Sequence, residues 1–323
     1  MMPMVTVGSS RIQVGDSMKY LGVMIDGLWN FRSHFKYVEN KAVKVNRALN
    51  RLMPNLRGPG ERKRRLYATI FTSVVMYAAP IWSEAFASAS DRVTRPLRRL
   101  QRTCAIRSVA SYRTVSFDAV TLLAGFPLWK FEATLRCRIY NRFIDLKARN
   151  VFTHQTDAEV RNGENLLLLR QWDVYLGRPG ISGLKTVSAL RPFLGRWLNR
   201  NFGEVNYYMS QMMTGHGSFG HFLYRIGRRD TAACYHCSSA DDSLDHTIAE
   251  CSAWDIPRFE FRRKMGLGNN DSLTLRVIVE KILQKKEYWN AFSHFAVVVL
   301  KVKEEERKRE GASSPSFPIR GPP

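Results

Sequence analysis

Negative charge is scarce in this chain. The 323 residues include 28 Asp and Glu against 50 Lys and Arg, which gives a formal net charge of +22. Hydrophobic residues still make up 45% of the sequence, so the chain can form a core and is not a disordered basic tail. An excess of this size favours an anionic partner, with nucleic acid as the first candidate and an anionic membrane surface as the second.

Cysteine is also rare, with five residues in the chain. Disulfide-stabilised scaffolds are short and rich in cysteine, so this composition excludes that class. Cys104 and Cys137 stand alone and are expected to be buried as small hydrophobic side chains. The remaining three lie close together in the sequence, which favours metal binding over redox chemistry. The N-terminal segment has no apolar signal-peptide region, and we expect an intracellular protein.

Long apolar runs are missing except for one. Leu66–Ser83 has 18 residues without a charge and follows four basic residues, and that length is at the threshold for a membrane span. Its Thr, Ser, Pro and Ala content favours a buried core helix instead, so we expect no membrane contact.

Recognisable catalytic motifs are missing as well. The sequence has no G-x-x-x-x-G-K phosphate loop and no G-x-S-x-G nucleophile elbow. A polymerase needs paired metal-binding carboxylates, and in enzymes of the reverse-transcriptase kind these lie on an apolar strand hairpin. The Asp241-Asp242 pair has no such strand around it. We interpret Gly215–His221, which is rich in glycine, as a structural loop that packs against the cysteine cluster. A metal or catalytic loop is the alternative.

The apolar pattern predicts a short β segment followed by helices. Two strands are expected on either side of Gly8-Ser9-Ser10, and Tyr20–Ile25 is expected to form a third. Apolar residues spaced three and four apart predict a helix that ends at Pro54. They are Phe35, Val38, Ala42, Val45, Leu49 and Leu52. Leu66–Ser83 is expected to form a second, central helix.

The rest of the chain predicts more helices and two less ordered segments. Helices are expected over Asp91–Val109, over Ser111–Phe152 with a break at Gly125, and over Leu184–Met213. Thr153–Gly183 is polar and weakly patterned, so we interpret it as a linker or exposed insertion. Lys303–Pro323 is a charge run followed by Ser, Pro and Gly, and we expect it to be disordered.

Basic residues occupy the positions off the apolar stripes of two predicted helices. A solvated surface is the simpler interpretation for any one of them, but the density of one sign favours contact with phosphates. In the first helix they are Lys36, Lys41, Lys44, Arg47 and Arg51, and in Asp91–Val109 they are Arg92, Arg95, Arg98, Arg99, Arg102 and Arg107.

The clustered cysteines have the spacing of a zinc site. Cys234, Cys237, His246 and Cys251 form the pattern C-x2-C-x8-H-x4-C. Zinc takes four ligands in a tetrahedron and prefers thiolate and imidazole, and a site filled by four protein ligands is structural rather than catalytic. His236 is the alternative histidine, but its place inside the tight C-x2-C turn is a poor one for closing the tetrahedron.

Small zinc-binding modules of this kind, called zinc knuckles, bind single-stranded nucleic acid through aromatic and basic residues. The local candidates for such contacts are Arg228, Arg229 and Tyr235.

Five segments together point to a family. They are Lys19–Asp26 with Trp29, Phe31 and His34; Ser73–Trp82; Tyr112–Ser116 with Ala124–Leu128; Gly215–Gly217 with Phe219, Leu223, Ile226 and Gly227; and the Cys/His cluster. In this order and spacing the chain, up to about residue 300, resembles the part of non-LTR (LINE-type) retrotransposon reverse transcriptases that follows the catalytic motif. The resemblance is to the arthropod type-1 elements that insert into ribosomal RNA genes.

The resemblance implies a mainly α fold with a short β segment. The implied divisions are the end of the reverse-transcriptase palm with primer-grip-like strands (1–27), a helical thumb (28–150), a linker and helical connection (151–229), a CCHC zinc knuckle (230–256), C-terminal helices (257–303) and a disordered tail (304–323). In that family the turn matched by Lys19, Tyr20, Leu21 and Gly22 helps to hold the primer end.

The resemblance also implies a function. It identifies the chain as a C-terminal fragment of a Pol polyprotein, an RNA-directed DNA polymerase with an endonuclease, which carries out target-primed reverse transcription. Because the catalytic Asp pair is missing, we expect no polymerase activity from this portion alone. Its expected role is to bind template–primer, with Lys41, Lys44, Arg47, Arg98 and Arg102 as thumb contacts.

Cofactors and partners follow from the same resemblance. Structural Zn²⁺ is the expected cofactor, and Mg²⁺ would belong only to the missing polymerase and endonuclease parts. The expected partners are element RNA, chromosomal target DNA such as ribosomal RNA genes, and the upstream part of the Pol polyprotein. We expect synthesis in the cytoplasm and action in the nucleus. The alternative function is that of a free-standing zinc-dependent nucleic-acid-binding protein without catalysis.

Overall fold

The computed structural model describes residues 4–56, 58–268 and 270–313, and it is mainly helical. Its strands are β1 (Met4–Val7), β2 (Ser10–Gln13), β3 (Ser17–Tyr20) and β4 (Val23–Asp26). Its α-helices are α1 (Arg32–Leu52), α2 (Glu61–Val75), α3 (Ala79–Ser88), α4 (Asp91–Ser108), α5 (Phe117–Ala124), α6 (Trp129–Ala148), α7 (His154–Leu176), α8 (Leu184–Leu190), α9 (Leu194–Asn199), α10 (Tyr207–Thr214), α11 (Gly220–Arg225), α12 (Asp255–Met265), α13 (Leu275–Ile282) and α14 (Lys286–Ser313).

The four strands form two separate antiparallel hairpins, β1 with β2 and β3 with β4. The prediction of a single strand over Tyr20–Ile25 is therefore wrong. The chain reverses at Leu21 and Gly22, which both have positive φ, at 43° and 86°. Two consecutive residues with positive φ suit a tight two-residue hairpin turn, so one apolar run forms parts of two strands.

One compact unit consists of the residues up to Leu52, Arg65–Ala105 and Phe126–Gly177. Its core is aromatic: the ring of Phe35 on α1 lies 5.8 Å from that of Trp82 and 5.2 Å from that of Phe86, both on α3. The predicted stripe on α1 is confirmed at Phe35, Val38, Ala42 and Leu49, which are buried.

The predicted central helix over Leu66–Ser83 is wrong, because α2 and α3 meet there at a bend of 85°. Ala78, between them, has a left-handed backbone with φ 55°. Pro80 lies in the first turn of α3, where its missing N–H costs no hydrogen bond. Within the described ranges no single helix is long and apolar enough to cross a membrane, and α2 and α3 meet that criterion only when taken together.

The segment interpreted as a linker, Thr153–Gly183, is instead largely helical, because α7 spans His154–Leu176 and packs against α6. The buried stripe of α7 is narrow, one residue in four: Glu164, Leu168, Trp172 and Leu176. Glu164 pairs with Arg138 of α6 at 2.5 Å. With a glutamate in a narrow stripe, the apolar periodicity that identifies a surface helix is weak.

The second compact unit consists of Met53–Arg64, Ile106–Gly125 and the described residues from Arg178 onward. Its central helix is α14, against which α10, α12 and α13 pack. Trp289, Phe292, Ala296 and Val299 lie on its buried face. Both units are assembled from segments that are distant in sequence, so a linear division of the chain describes neither of them.

Disorder from residue 304 onward was expected, and this is wrong for residues 304–313, which continue α14. Lys303 and Glu304 are buried, each 4% exposed, because the inward-facing stripe of α14 continues past Leu300. The rest of the expected tail, residues 314–323, lies outside the described residues.

The other helix predictions agree with the structure. Asp91–Val109 corresponds to α4, and Ser111–Phe152 contains α5 and α6 with the predicted break at Gly125, which has φ 67°. The Leu184–Met213 segment contains α8, α9 and α10.

Candidate metal centre and nucleic-acid-binding surface

Cys234, Cys237, His246 and Cys251 bring four potential ligand atoms together, all within 4.8 Å of one another. Cys234 Sγ is 3.8 Å from Cys251 Sγ, and Cys237 Sγ is 3.2 Å from His246 Nε2. In a tetrahedral zinc site with Zn–S bonds of about 2.3 Å, two sulfurs lie about 3.8 Å apart. The donor set and its spacing therefore fit a metal such as zinc.

Main-chain hydrogen bonds shape the C-x2-C turn. Cys234 N–H donates to Ser239 O at 2.7 Å, and Ser238 N–H donates to Cys234 O at 3.2 Å. Ser238 has φ 59°, so the chain reverses directly after Cys237. This reversal places the sulfurs of Cys234 and Cys237 on the same side of the turn.

The H-x4-C half of the cluster is a single π-helical turn, His246–Glu250. Cys251 N–H donates to His246 O, five residues earlier, at 2.8 Å. In an α-helix with about 3.6 residues per turn, side chains five residues apart diverge. The wider π-helical turn brings His246 and Cys251 to one side, and such turns occur frequently at functional sites.

Arg258 on α12 supports this second half, and the sequence did not single it out. Its Nε donates to Ile248 O at 2.9 Å and its Nη2 donates to Cys251 O at 2.6 Å. The guanidinium thus satisfies two carbonyl groups at the end of the π-helical turn while it is itself 7% exposed. An arginine in the first turn of a helix is too common a feature to identify such a role from sequence.

Asp242 connects the cluster with the rest of the second unit. Its carboxylate accepts hydrogen bonds from Gly220 N–H at 2.8 Å, from Thr247 Oγ1 at 3.2 Å and from Lys303 Nζ. These bonds occupy the carboxylate of Asp242.

The glycine-rich segment Gly215–His221 packs against the cluster, as predicted. His221 N–H donates to Asp242 O at 3.2 Å, and a Cβ on Gly220 would lie 2.7 Å from Ala232 O. Only glycine allows the main chains to approach this closely.

The structure favours His246 over His236 as the histidine ligand, because the cluster contains His246. The ring of His236 packs on Trp254, with the centroids 4.7 Å apart. Burial raises the pKa of Cys234, and it raises the pKa of Cys251 to about 12. Both thiols therefore keep their protons at neutral pH until a metal displaces them.

The predicted nucleic-acid contacts of the first unit lie on its surface. Exposed positions are Lys19, Tyr20 and Leu21 on the β3–β4 hairpin, Lys41, Lys44 and Arg47 on α1, and Arg98 on α4. Gly22 and Arg102 are half-buried, and burial lowers the pKa of the Arg102 guanidinium. Tyr77 Oη donates to Leu21 O at 2.9 Å, which ties the hairpin turn to the segment between α2 and α3.

In the second unit Arg228 and Tyr235 are exposed, whereas Arg229 is half-buried. The side chain of Arg229 is 7% exposed and pairs with Glu310. Its guanidinium lies 3.4 Å from the centre of the Tyr235 ring and donates to Tyr235 Oη at 2.7 Å and to Ala233 O at 2.8 Å. Arg229 therefore supports the C-x2-C segment through Tyr235 and Ala233 O.

Comparisons with known proteins found relatives in one group. The chain is 26% identical over 262 residues to "Retrovirus-related Pol polyprotein from type-1 retrotransposable element R1" of Bradysia coprophila, a match that covers 78% of the chain and 26% of the relative. It is 25% identical over 255 residues to the Pol polyprotein of element R1 4 of Nasonia vitripennis, which covers 77% of the chain and 64% of that protein.

A third relative is the putative 115 kDa protein in type-1 retrotransposable element R1DM of Drosophila melanogaster. It is 24% identical over 304 residues, which covers 91% of the chain and 29% of the relative. The chain thus spans less than two-thirds of the length of these relatives. No protein-family model and no solved structure matches it. The similarity confirms that this chain is related to the Pol polyproteins of non-LTR retrotransposons of the R1 type.

Proposed function

We propose that this chain is the part of a retrotransposon Pol polyprotein that holds nucleic acid during target-primed reverse transcription. The observation that carries the proposal is the cluster of four potential metal ligands, Cys234, Cys237, His246 and Cys251, in a chain related to R1 Pol polyproteins. The reverse-transcriptase and endonuclease chemistry belongs, in this proposal, to other parts of the parent protein.

The basic helices of the first unit are assigned to the template–primer backbone. Lys41, Lys44 and Arg47 are exposed on α1, and Arg98 is exposed on α4. Lysine and arginine side chains that neutralise phosphates release counterions, so such binding depends on salt and carries no sequence choice. Binding without sequence choice suits a protein that must stay on its template while the sequence in contact with it changes.

The Cys/His cluster is assigned a structural role, with zinc as its metal. Four protein ligands leave no open coordination position for a catalytic water. The metal would hold the C-x2-C turn and the π-helical turn together, so that Arg228 and Tyr235 are presented to a single strand. Element RNA and chromosomal target DNA are the proposed partners, and the nucleus is the proposed place of action.

Binding of a nicked template–primer by the purified chain tests this function. The chain should bind it more tightly than an intact duplex of the same sequence, and the logarithm of the affinity should fall linearly with the logarithm of the salt concentration. The double variant Lys41→Gln/Lys44→Gln should reduce the salt slope. As a control with the same charge change, Arg149→Gln/Arg161→Gln should leave it unchanged, since Arg149 lies directly after α6 and Arg161 lies on α7.

Three results would contradict parts of the proposal. Equal affinity for nicked and intact duplex would remove the template–primer assignment and favour a free-standing nucleic-acid-binding protein. Unchanged single-strand binding in Cys234→Ser/Cys237→Ser would remove the role of the zinc knuckle. Absence of binding at any salt concentration would remove the proposal as a whole.

A further inference from the structure

The loop between β4 and α1 displays a tryptophan on its surface. Trp29 is 61% exposed, whereas Phe31, two residues later, is 2% exposed. Both residues have positive φ, at 52° and 55°, in a region that bulky L-residues rarely adopt. This backbone directs Phe31 into the core of the first unit and leaves the indole outside.

Asp26 holds the loop in this conformation. Its carboxylate accepts hydrogen bonds from the N–H groups of Leu28, Asn30 and Phe31 at 3.1, 3.2 and 2.8 Å. Its carbonyl oxygen accepts a further bond from Trp29 N–H at 3.1 Å. Left-handed conformations of bulky residues persist only where the surroundings impose them, and they cluster at functional positions. The loop therefore presents the indole on a fixed backbone.

Two adjoining depressions open beside the indole, both within the first unit. One has a volume of about 670 Å³ and is lined by Trp29. The other has a volume of about 780 Å³ and is lined by Lys36 and Arg92. The two share Arg32, Ser90 and Val93 in their walls, so they form one open groove between α1, α3 and α4.

The groove is lined by both basic and acidic residues, and it continues into a basic surface. Lys36 Nζ pairs with Glu39 at 2.9 Å, and Glu84 lies in the wall nearest Trp29. Arg32 and Arg92 are exposed, and further along α4 the exposed side chains are Arg95, Arg98 and Arg99, with Asp91 as their acidic neighbour.

We propose that this groove binds a single-stranded nucleic acid, with Trp29 stacked on a base and with Arg32 and Arg92 on the adjacent phosphates. The inference rests on the proposed function and deepens it by naming the residue that receives a base. Every base has a flat π face, so stacking on an aromatic ring tolerates any sequence. An exposed ring at one end of an open groove suits a flexible strand, because the bases of a duplex already stack on one another.

Fluorescence anisotropy of the full chain with short labelled strands, in separate DNA and RNA arms, tests the inference. Loss of one stacked base weakens binding roughly 5- to 150-fold, and we expect this from Trp29→Ala with an unchanged salt slope. Arg92→Gln should instead reduce the salt slope by about 0.7, the value for one phosphate contact on a single strand. A 2-aminopurine base in the strand should be quenched by the wild-type chain and by Trp29→Phe, but much less by Trp29→Ala.

Leu28→Ala is the matched control, since Leu28 lies in the same loop, is 83% exposed and has no π face. It should bind as the wild type does. If the wild type binds the labelled strands tightly and Trp29→Ala binds them equally tightly, this site is wrong and the proposed function stands. If the wild type binds neither strand, this site and the single-strand role proposed for the Cys/His cluster are both wrong, whereas the template–primer assignment is decided by the nicked duplex. An equal loss of affinity in Leu28→Ala would indicate general apolar contact and overturn the stacking assignment. A loss of affinity confined to Trp29→Ala, and seen with only DNA or only RNA, supports the site and identifies which strand it binds.

Discussion

Lys303 Nζ on α14 and Asp242 Oδ1 in the loop of the Cys/His cluster form a buried ion pair, in which the side chains are 2% and 5% exposed. Charged groups at this depth are costly unless they are paired and hydrogen-bonded. Asp242 meets this condition, because it also accepts hydrogen bonds from Gly220 N–H and Thr247 Oγ1. The cluster is thus part of the core of the second unit rather than a module tethered to it.

Removal of the lysine should strongly destabilise the second unit. Lys303→Met leaves the Asp242 carboxylate buried without its cation, and loss of one partner from a buried pair costs about 3–5 kcal/mol. A lower midpoint of urea unfolding, followed by tryptophan fluorescence of the zinc-loaded chain, is the expected result. The double variant Asp242→Asn/Lys303→Met should recover part of the loss, because no unpaired charge remains.

A second Lys–Asp pair in the same unit provides the control. Lys185 Nζ lies 2.7 Å from Asp245 Oδ2, but these side chains are 49% and 59% exposed. Exposed pairs are worth about 1 kcal/mol or less, so Lys185→Met should shift the urea midpoint little. Similar losses in Lys303→Met and Lys185→Met would show that burial of the Asp242 pair contributes nothing.

Metal analysis of the purified chain should find one zinc ion per molecule, and the two histidines of the region should behave differently. His246→Asn removes a ligand and should lower zinc affinity sharply. His236→Asn should keep the metal, because that ring packs on Trp254. Competition with a chromogenic chelator measures both variants. Equal retention in both would contradict the ligand assignment.

Acid should release the metal, because protons compete with it for the ligands. The buried thiol of Cys251, with its pKa raised to about 12, regains its proton readily once the metal leaves. Zinc release on a pH titration should coincide with loss of the near-ultraviolet circular dichroism of the second unit. Release without any change in that signal would contradict a structural role for the metal.

Sequence patterns predicted the features that depend on spacing alone. The grouping of Cys234, Cys237, His246 and Cys251 followed from C-x2-C-x8-H-x4-C, and the stripe on α1 followed from apolar residues three and four apart. The failures occurred where polar residues enter the core. Glu164 occupies the stripe of α7 and Lys303 that of α14, and both are buried because each has a partner distant in sequence, Arg138 and Asp242.

Backbone reversals inside apolar runs were the other source of error. Pro80 is a break signal close to the bend at Ala78, but the prediction of one helix over Leu66–Ser83 did not use it. Leu21 turns the chain within a run that has the pattern of one strand. Ala78 and Leu21 have a left-handed backbone that their type does not favour. Tertiary packing imposes such conformations, as the hydrogen bond from Tyr77 to Leu21 O illustrates.

The first unit should contain a pH-sensitive contact at His34. Burial lowers the pKa of His34 to about 4, from an ordinary value of 6.5, and its Nδ1 accepts a hydrogen bond from Met24 N–H at 3.3 Å. Because the unfolded chain takes up this proton more readily, the stabilisation is complete above pH 6.5 and is lost progressively as the pH falls towards 4. The shift corresponds to about 3 kcal/mol.

Urea midpoints measured across this pH range in the wild type and in His34→Asn test the contact. The amide of the variant does not titrate, so the stability difference between the two proteins should shrink on acidification. His294→Asn, at an exposed position on α14, is the control and should retain the wild-type profile. Parallel profiles for the wild type and His34→Asn would contradict the assignment.

Gly220 should tolerate no side chain. A Cβ there would lie 2.7 Å from Ala232 O and 2.8 Å from Ala233 O, and these main-chain atoms cannot yield as the end of a flexible side chain can. Overpacking of this kind costs about 1–3 kcal/mol, so Gly220→Ala should lower both the urea midpoint and the zinc affinity.

Gly163→Ala in α7 is the matched control, since a Cβ there meets nothing within 4 Å. Alanine within a helix is more stable than glycine by about 0.5–1 kcal/mol. Because the two substitutions should change stability in opposite directions, the same small effect from both would show that the glycine-rich segment does not pack closely against the Cys/His cluster.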